Sequence, residues 1–545
     1  MSLFDRILKA RGLEGNIKDL FLSPDYLNYH DPFLLPDMNR AVERLVVSLE
    51  KQEHIVVYGD YDIDGLTATA LILDAFSNFG FENVDVYIPN RFIEGYGLTI
   101  DAVEKMASSG ANLILTVDCG SLCEKEIIRA NELGVDIIVT DHHNVADIQP
   151  PAVAVVNPKR VDHNYPFIDL AGVGVAFKLV QAMQTQLNGL SKGQEKWLLD
   201  LVALGTVCDV VPLIDENRTN VFWGLKVLAK TRRPGLRALM SVSKINPDSI
   251  NSRSLGFGLG PRMNAAGRLE TAQHALDMLI SKDSTKAFET AQYLDDLNSL
   301  RRTSQAKILK EAIAQAEMLK SDRVLVVSGA NWNHGIVGIV ASKLLERYKK
   351  PVFVLQEMGD ISKGSARSYG DFSAAEAIKV SQDIITKGGG HRLAAGVTLP
   401  TENISAFRER INYFYRGLSL VNQEDLLLPK ADVPARLDEV TEDLVNSLSQ
   451  LEPFGCGNPQ PILRTDNLLV MNFKKMGDNA QHIKLELRDE TGEAMWFLAF
   501  NAPDYFFVDH GERISIWYHP DINEWQGNRS VEGRLLHLEK FVGCV

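Results

Sequence analysis

The feature that most constrains the fold is a strand–loop–helix pattern that repeats across residues 54–143. Short apolar segments rich in β-branched residues (HIVVYGD, VDVYIPN, ANLILTVD and VDIIVTD) alternate with segments of helical periodicity. The first helical segment places Ala68, Ile72 and Phe76 on one face. Strands that are apolar throughout and separated by helices are typical of a parallel sheet covered on both faces, with right-handed crossovers. We therefore predict an α/β domain here.

Acidic residues follow the strands of this pattern. Asp60, Asp118 and Asp141 each come directly after a predicted strand. The carboxyl ends of parallel strands form the edge at which such sheets bind ligands. Because clustered acids repel one another and are costly to desolvate, three of them on one edge indicate a bound cation.

The loop after the first strand reads DYDIDG (60–65), a spacing that also begins a calcium-binding EF-hand loop. The twelfth position of such a loop is a bidentate glutamate, whereas here it is Leu71. An EF-hand also needs a helix on both sides, and a strand precedes this loop. A solvated acidic turn is the other alternative, but it does not explain why acids end the neighbouring segments as well.

The candidate metal ligands are carboxylates and one imidazole: Asp60, Asp62, Asp64, Asp118, His142 and Asp209, with His143 adjacent. Such donors without a thiolate favour Mn²⁺ or Mg²⁺ over structural zinc. The set is large enough for two ions roughly 3.5–4 Å apart, which could activate a water and stabilise the leaving oxygen of a phosphodiester. A lone histidine pair is more often structural, but its place directly after Asp141 favours the metal site.

Composition limits the classes of substrate and compartment. The formal net charge of −14 argues against a uniformly basic surface, so a polyanion would have to be attracted by local Arg and Lys or by bound cations. The five cysteines are odd in number and do not indicate a disulfide framework. The sequence shows neither a signal peptide nor a membrane-spanning stretch, and we expect a cytoplasmic location.

Pattern and composition divide the chain into five parts. We predict an N-terminal, loop-rich segment that packs against the next domain (1–40), the parallel-sheet α/β domain (41–281), a long connecting helix (282–320), a smaller α/β domain (321–420) and an OB-like β-barrel domain that binds single strands (421–545).

Several motifs carry a resemblance to a known family. GDYDIDG, TVDCG, the triplet Asp141-His142-His143 and GTVCDVVPL resemble the four signature motifs of the DHH phosphoesterase superfamily. GPRMNAAGRL, GSARS, GGGHRLAAG and EPFGCGNPQP resemble its bacterial RecJ branch, single-strand-specific exonucleases that also have a DHH-associated domain. The resemblance runs over nearly the whole chain, in order.

The resemblance implies roles for the ligands. Asp62 and Asp64 would bind separate ions, Asp118 would bridge them, and His142 and Asp209 would complete the shells, while His143 would touch the scissile phosphate. The chain departs from the family at one position. Many members have a histidine ligand four residues before the aspartate that Asp62 matches, and here that residue is Tyr58. Asp60 or water could fill the gap, or that ion could bind weakly.

Basic and polar residues in three further motifs are candidate substrate contacts: Arg91, Arg262, Asn264, Arg268, Ser365, Arg367 and His391. Arg91 follows a strand on the acidic edge, and its guanidinium can bind phosphate oxygens bidentately. An ion pair with Glu94 is the alternative, and the family resemblance favours a contact to the 5′-phosphate. The residues of PRMNAAGR (261–268) lie among small neighbours, with helix capping as the alternative. The last three lie in predicted Gly-rich turns, whose amides can hold an anion, and by similarity would grip the 5′-terminal nucleotide.

These features predict a metal-dependent 5′→3′ exonuclease that degrades single-stranded DNA to 5′-mononucleotides in repair and recombination. A DHH phosphodiesterase for cyclic dinucleotides or short RNA is the alternative enzyme, and an inactive single-strand-binding scaffold is the alternative from another class. The expected partner is single-stranded DNA, bound by a monomer away from membranes. A RecQ-type helicase and a single-strand-binding protein are further partners that the sequence leaves open.

Overall fold

A computed structural model describes residues 1–95, 97–418, 420, 424–477, 481–525 and 527–540. It contains a five-stranded parallel sheet, a five-stranded mixed sheet and a closed β-barrel, in that order along the chain. This order confirms the predicted fold class. Within the described ranges, every helix is too short or too polar to cross a bilayer.

The N-terminal segment differs from the prediction. It forms the helices α1 (Leu3–Ala10), α2 (Gly15–Leu22) and α3 (Met38–Lys51). The expectation of a loop-rich segment packed against the next domain is wrong for α1, because Ile7 and Leu8 are buried in the core of the C-terminal barrel. Arg11 also pairs with Asp432 at 2.6 Å. The apolar residues of α1 recur at helical spacing and therefore need a partner surface, which the barrel provides.

The first α/β domain has the strand order β2-β1-β3-β4-β5, and all its described pairings are parallel. Its elements are β1 (Ile55–Gly59), α4 (Ile63–Phe79), β2 (Val84–Tyr87), α5 (Ile100–Ser108), β3 (Leu113–Val117), α6 (Glu124–Glu132), β4 (Asp136–Thr140) and β5 (Ala154–Val156). β1 and β3 are neighbours from which the chain proceeds in opposite directions. Their carboxyl ends therefore flank the point at which open α/β sheets bind ligands.

A helical layer covers this sheet and leads to the next domain. It comprises α7 (Gly172–Met183), α8 (Leu199–Cys208), α9 (Asp215–Leu228), α10 (Pro234–Val242), a π-helical turn (Ser254–Leu259), α11 (Gly260–Leu269), α12 (Gln273–Ile280) and the 35-residue helix α13 (Ser284–Met318). Helix α4 is buried on most sides, between the sheet and the helices α7 and α8.

The second α/β domain has the strand order β6-β7-β8-β10-β9. Its elements are β6 (Leu325–Gly329), α14 (His334–Tyr348), β7 (Val352–Met358), β8 (Ile361–Arg367), α15 (Ala374–Lys379), β9 (Lys387–Gly390), β10 (Ala394–Pro400) and α16 (Ile404–Gly417). The prediction that Ser365 and Arg367 lie in a turn is wrong, since both are on strand β8. His391 does lie between β9 and β10, as predicted.

The C-terminal domain is a five-stranded barrel, because β12 pairs with both β13 and β15. Its elements are β11 (Val433–Pro434), α17 (Glu442–Leu448), β12 (Leu463–Met476), β13 (His482–Arg488), β14 (Ala494–Ala499), β15 (Arg513–Trp525) and β16 (Asn528–Lys540). Of the aromatic residues in this domain, Phe497 is buried in the core against Tyr518. The half-buried Trp496 instead lies beneath the ammonium groups of Lys474 and Lys484.

Candidate metal centre and phosphate cleft

Three buried aspartates follow three adjacent strands. Asp60 comes after β1, Asp118 after β3 and Asp141 after β4, and each is at most 3% exposed. Asp64 joins them from the first turn of α4, and Asp209 from the end of α8. The carboxyl ends of the parallel strands, where the sequence pattern predicted a cluster of acids, therefore bring these side chains together.

The turn between β1 and α4 fixes two of the acids. Asp62 is the N-cap of α4, and its Oδ1 accepts hydrogen bonds from the amides of Asp64 at 2.9 Å and Gly65 at 3.2 Å. A Cβ at Gly65 would lie 2.5 Å from the carbonyl oxygen of Asp60, so only glycine allows the helix to start this close to the loop. Asp64 accepts the amides of Gly172 at 2.6 Å and Val173 at 2.9 Å. The helix starts of α4 and α7 thus hold the two carboxylates in place.

The donor atoms converge on His142. Its Nε2 lies 3.2 Å from Oδ1 of Asp118, 3.5 Å from Oδ2 of Asp209 and 3.8 Å from Oδ2 of Asp64. The donor atoms of Asp64, His142 and Asp209 form one group within 4.8 Å of one another, and those of Asp60, Asp62 and Asp118 form a second. Asp118 touches both groups, which is the position of a bridging carboxylate.

Several of these atoms are buried without a hydrogen-bond partner in the described part of the chain: Asp60 Oδ1, Asp118 Oδ1, His142 Nε2 and Asp209 Oδ2. A buried unpaired polar atom costs about 1–3 kcal/mol, so four around one space indicate a missing ligand. Because the donors are oxygens and one imidazole nitrogen, they fit Mn²⁺ or Mg²⁺.

The protonation of the cluster also indicates a cation. Burial and the neighbouring carboxylates raise the pKa of Asp60 to about 8 and that of Asp209 to about 6. Burial, followed by repulsion from the other acids, raises the pKa of Asp64 and Asp118 well above the usual value. Burial lowers the pKa of His142 to about 3, so its imidazole is neutral and able to bind a metal.

Asp141 is buried to the same degree but is fully hydrogen-bonded. It accepts the amides of Ser121, His142 and His143 at 2.7–3.0 Å, and the ring Nδ1 of His143 at 2.8 Å. Although burial acts to raise its pKa, the hydrogen bonds and charge of His143, with the backbone amides, lower it to about 2. Asp141 is therefore a permanent anion that orients His143, whose side chain is 42% exposed.

Tyr58 occupies the position at which many superfamily members have a ligand. Its ring is buried and stacked on Tyr87 at 5.5 Å, and its hydroxyl donates to the carbonyl of Gly97 at 2.8 Å. The proton of the Tyr58 hydroxyl is thus used in a hydrogen bond to the backbone. Asp60 Oδ1 is buried without a hydrogen-bond partner among the described residues and lies near donor atoms of Asp62 and Asp118.

A cluster of arginines lies beside the acids. The guanidinium of Arg91 lies 4.8 Å from the ring centre of Tyr61. The alternative ion pair of Arg91 with Glu94 is absent from the described part of the chain, where Glu94 instead accepts Tyr87 Oη at 2.6 Å and the Asn90 amide at 2.7 Å. Burial, then the charges of Arg91 and of two further arginines, Arg301 and Arg367, lowers the pKa of Arg268 to about 10.

Of the other predicted substrate contacts, some lie at the cleft and others lie away from it. Ser365 and Arg367 lie on β8 beside Gly338, and Asn264 is half-buried in the cleft wall. His391 is exposed in the β9–β10 turn. Arg262 faces away, since its Nε pairs with Asp295 of α13 at 2.7 Å and its Nη1 donates to the carbonyl of Gly258 at 2.8 Å.

A cavity of about 730 Å³ lies next to the acids, between the α/β domain and the barrel. Its walls include Cys208, Val210, Asn264, Arg268 and Arg301. The segment that leads into the barrel contributes Glu452 and residues 454–456 and 459–460. The sequence did not predict Arg301 as a residue of this cavity, because Arg301 lies within a long helix and belongs to no local motif.

We call residues 452–458 the strap. The amide of Leu213, four residues after the candidate metal ligand Asp209, donates to the carbonyl of Cys456 at 2.7 Å. The hydroxyl of Ser252 donates to the carbonyl of Phe454 at 2.5 Å. The strap is thus bonded directly to the loop that carries one of the acids.

The comparisons with known proteins agree with this architecture. A model of the DHH family, N-terminal domain, matches residues 54–206, the DHHA1 domain matches 321–417 and the RecJ OB domain matches 431–537. The single-stranded-DNA-specific exonuclease RecJ of Bacillus subtilis is 38% identical over 96% of this chain, which spans 66% of that relative's length. RecJ of Escherichia coli is 34% identical over 91% of this chain and 89% of its own length.

The crystal structure of RecJ from Thermus thermophilus in complex with Mn²⁺ matches with a TM-score of 0.83 and 27% identity, covering 98% of this chain and 76% of that one. The same protein has been solved with Mg²⁺. Together with the donor set described above, this confirms the prediction of a Mn²⁺ or Mg²⁺ site. By its three domain models and its identity to relatives along most of their length, the chain belongs to the RecJ family of DHH proteins.

Proposed function

We propose that this chain hydrolyses single-stranded DNA from its 5′ end and releases 5′-mononucleotides. The observation that carries the proposal is the set of four buried, unpartnered donor atoms around His142. They lie beside an arginine cluster and a cavity. A cation site next to a cationic cleft suits a phosphodiester, and the named activity of the curated relatives is single-stranded-DNA-specific exonuclease.

In this proposal the acids hold the cations and the basic residues hold the strand. Asp62 and Asp64 would hold separate ions, with Asp118 between them, and His142, Asp209 and Asp60 would complete the set. Bound divalent cations supply an activated water and neutralise charge on the leaving oxygen. Asp141 orients the ring of His143 toward the scissile phosphate.

The strand is positioned by its terminal phosphate. Arg91, Ser365 and Arg367 hold the 5′-phosphate, while Arg268 and Asn264 contact the following nucleotide. Because charge-assisted bonds from arginine to phosphate are short and directional, they place the scissile bond over the acids. Strand selectivity in this proposal comes from the strap, which lines the cavity and would narrow it to a single strand.

The biological setting is also part of the proposal. An enzyme that requires single strands acts after a helicase has separated a duplex, and on strands that a single-strand-binding protein covers. We place such partners beside this chain in DNA repair and recombination. The named relatives come from bacteria, whose DNA lies in the cytoplasm, and the proposal assigns this chain to that compartment.

The test is digestion of a 5′-labelled single strand with added Mn²⁺, with Asp118→Ala as the variant. The variant should lower the rate by at least about 1,000-fold, equivalent to about 4 kcal/mol of barrier, while strand binding stays measurable. Asp101→Ala, an exposed acid on α5, is the matched control and should keep full activity. Unchanged cleavage by Asp118→Ala would show that the site is misplaced.

A substrate-length series separates the proposal from the alternative of a phosphodiesterase for cyclic dinucleotides or short RNA. A longer strand should be degraded with higher kcat/KM because it also reaches the barrel. A rate that is highest on dinucleotides and falls with length would favour the alternative. Equal release from blunt duplex would contradict single-strand specificity.

A further inference from the structure

A second cavity, of about 560 Å³, lies on the other side of Arg91, between the two α/β domains. Its walls include His334 at the start of α14, and Gln356, Lys363 and Lys387 from the second sheet. The pairing registers place Gln356 opposite Lys363, Lys363 opposite Thr398, and Thr398 opposite Lys387. Directly opposed residues of antiparallel strands point to the same face, so these side chains form one row across four strands.

The row carries positive charge that the described residues do not neutralise. Within the described ranges, Lys363 and Lys387 have no ion-pair partner. His334 Nδ1 is buried without a hydrogen-bond partner there, and its pKa is lowered by burial and by the charges of Lys363 and Arg91. Glu94 is the carboxylate among the lining residues, and it accepts hydrogen bonds from Tyr87 and Asn90. Its single negative charge offsets only part of the positive charge of Arg91, Lys363 and Lys387. The cavity is therefore suited to an anion.

The position of this second cavity relative to Ser365 and Arg367, the proposed 5′-phosphate contacts, indicates which anion it binds. Lys363, Ser365 and Arg367 alternate along β8 and lie on the same face of the sheet. Lys363 is therefore about 7 Å beyond Ser365, two residues of strand rise. Arg91 borders both places. A ligand that continues from the 5′-phosphate by two further phosphate groups would reach from Ser365 to the row.

We propose that this cavity binds the β- and γ-phosphates of a 5′-triphosphorylated strand end. The proposal rests on the proposed function, because it extends the 5′-phosphate site. Hydrolysis of such a strand breaks the same bond from phosphorus to O3′. The water oxygen joins the phosphorus, one proton of the water goes to O3′, and the first product is a nucleoside 5′-triphosphate with a free 3′-hydroxyl.

The experiment compares one strand sequence with a 5′-hydroxyl, a 5′-monophosphate or a 5′-triphosphate, with Mn²⁺ in excess over phosphate. The wild-type chain should show a lower KM for the triphosphate strand than for the monophosphate strand, and the first labelled product should be a nucleoside triphosphate. Lys363→Met/Lys387→Met should raise the KM for the triphosphate strand about tenfold, or about 1.4 kcal/mol, and change that for the monophosphate strand less than about twofold.

Lys379→Met, an exposed lysine on α15 of the same domain, is the matched control and should alter neither value. A triphosphate strand that binds no better than the monophosphate strand overturns the proposal, as does a double variant that raises both KM values equally. If the monophosphate strand is not degraded at all, the proposed function itself fails. Free dATP that inhibits the wild type but not the double variant would show that a free nucleotide also fills the site.

Discussion

Two arginines at the two domain junctions, the buried Arg218 and the half-buried Arg268, differ in how their hydrogen-bond donors are used. Burial lowers the pKa of Arg218 on α9 to about 10, and burial together with nearby arginines lowers that of Arg268 on α11 to the same value. Neither has a carboxylate ion-pair partner among the described residues. Arg218 nevertheless donates to the carbonyls of Phe21 at 2.8 Å, Leu451 at 3.0 Å and Glu452 at 2.8 Å. In the same described part, Arg268 donates to one carbonyl, that of Gly335, at 3.1 Å.

In the proposed function, this difference separates a structural arginine from one that is available to bind a ligand. Arg218 has each of its nitrogens bonded to backbone, so it holds the N-terminal segment and the strap against the α/β domain. Arg268 keeps unused donors that face the cavity beside the acids. Burial and a lowered pKa are therefore not sufficient to identify a binding residue, and the unused donors are the informative observation.

The largest effect should come from Arg218→Met, which leaves the carbonyls of the strap and of Phe21 without their donor. We expect the free energy of unfolding to fall by about 3 kcal/mol, since buried unsatisfied groups each cost about 1–3 kcal/mol. Chemical denaturation would measure it. The KM for long strands should also rise, because the strap is no longer fixed. An unchanged unfolding midpoint would remove the distinction between the two arginines.

Arg268→Met should instead lower activity without lowering stability. The rate constant kcat/KM on a 5′-phosphorylated strand should fall by about 10–100-fold, or about 1.4–2.8 kcal/mol, because a charge-assisted contact to phosphate is lost. Stability should be unchanged or higher, because a half-buried charge without an ion-pair partner in the described part of the chain is removed. Arg237→Met, an exposed arginine on α10, is the control. A large loss of stability with normal kinetics would reassign Arg268 as structural.

The smallest expected effect is the stabilisation of the folded chain by Mn²⁺. The acids resemble Arg268 in that several of their polar atoms have no hydrogen-bond partner among the described residues. Adding Mn²⁺ at ten times its dissociation constant should stabilise the folded chain by about 1.4 kcal/mol. A melting curve with and without Mn²⁺ measures this effect. Asp118→Asn should abolish the stabilisation and should itself melt higher than the wild type when metal is absent, because it relieves the repulsion among the carboxylates. Equal stabilisation of both proteins would place the metal elsewhere.

The sequence predicted the parallel sheet and the acids because both follow from local patterns. Apolar strands separated by helices allow few topologies, and residues after parallel strands must share an edge. Arg262 could not be assigned this way, because its partner Asp295 lies 33 positions away on another helix. Arg218 was missed for the same reason, since its acceptors lie more than 190 positions away in both directions. Pairing at that range is decided by tertiary packing.

The Gly-rich segments of the second α/β domain show a different limit of predicting structure from sequence. GSARS and GGGHRLAAG suggest turns, yet Ser365 and Arg367 lie on a strand. Gly364 is needed there because a Cβ would collide with the carbonyl oxygen of Val354 on the neighbouring strand. Glycine permits both turns and close approach of strands, so composition does not separate the two cases.

The burial of α1 in the barrel has a consequence for synthesis. Arg11 bonds to Asp432, a residue that the ribosome adds 421 positions later. At about 5–20 residues per second, the first helix waits roughly 20–80 s for its partner surface. During that interval the apolar face of α1 is exposed while the two α/β domains are already able to fold. Helix α1 therefore reaches its buried position only after the barrel segment, more than 400 positions later in the chain, has been synthesised.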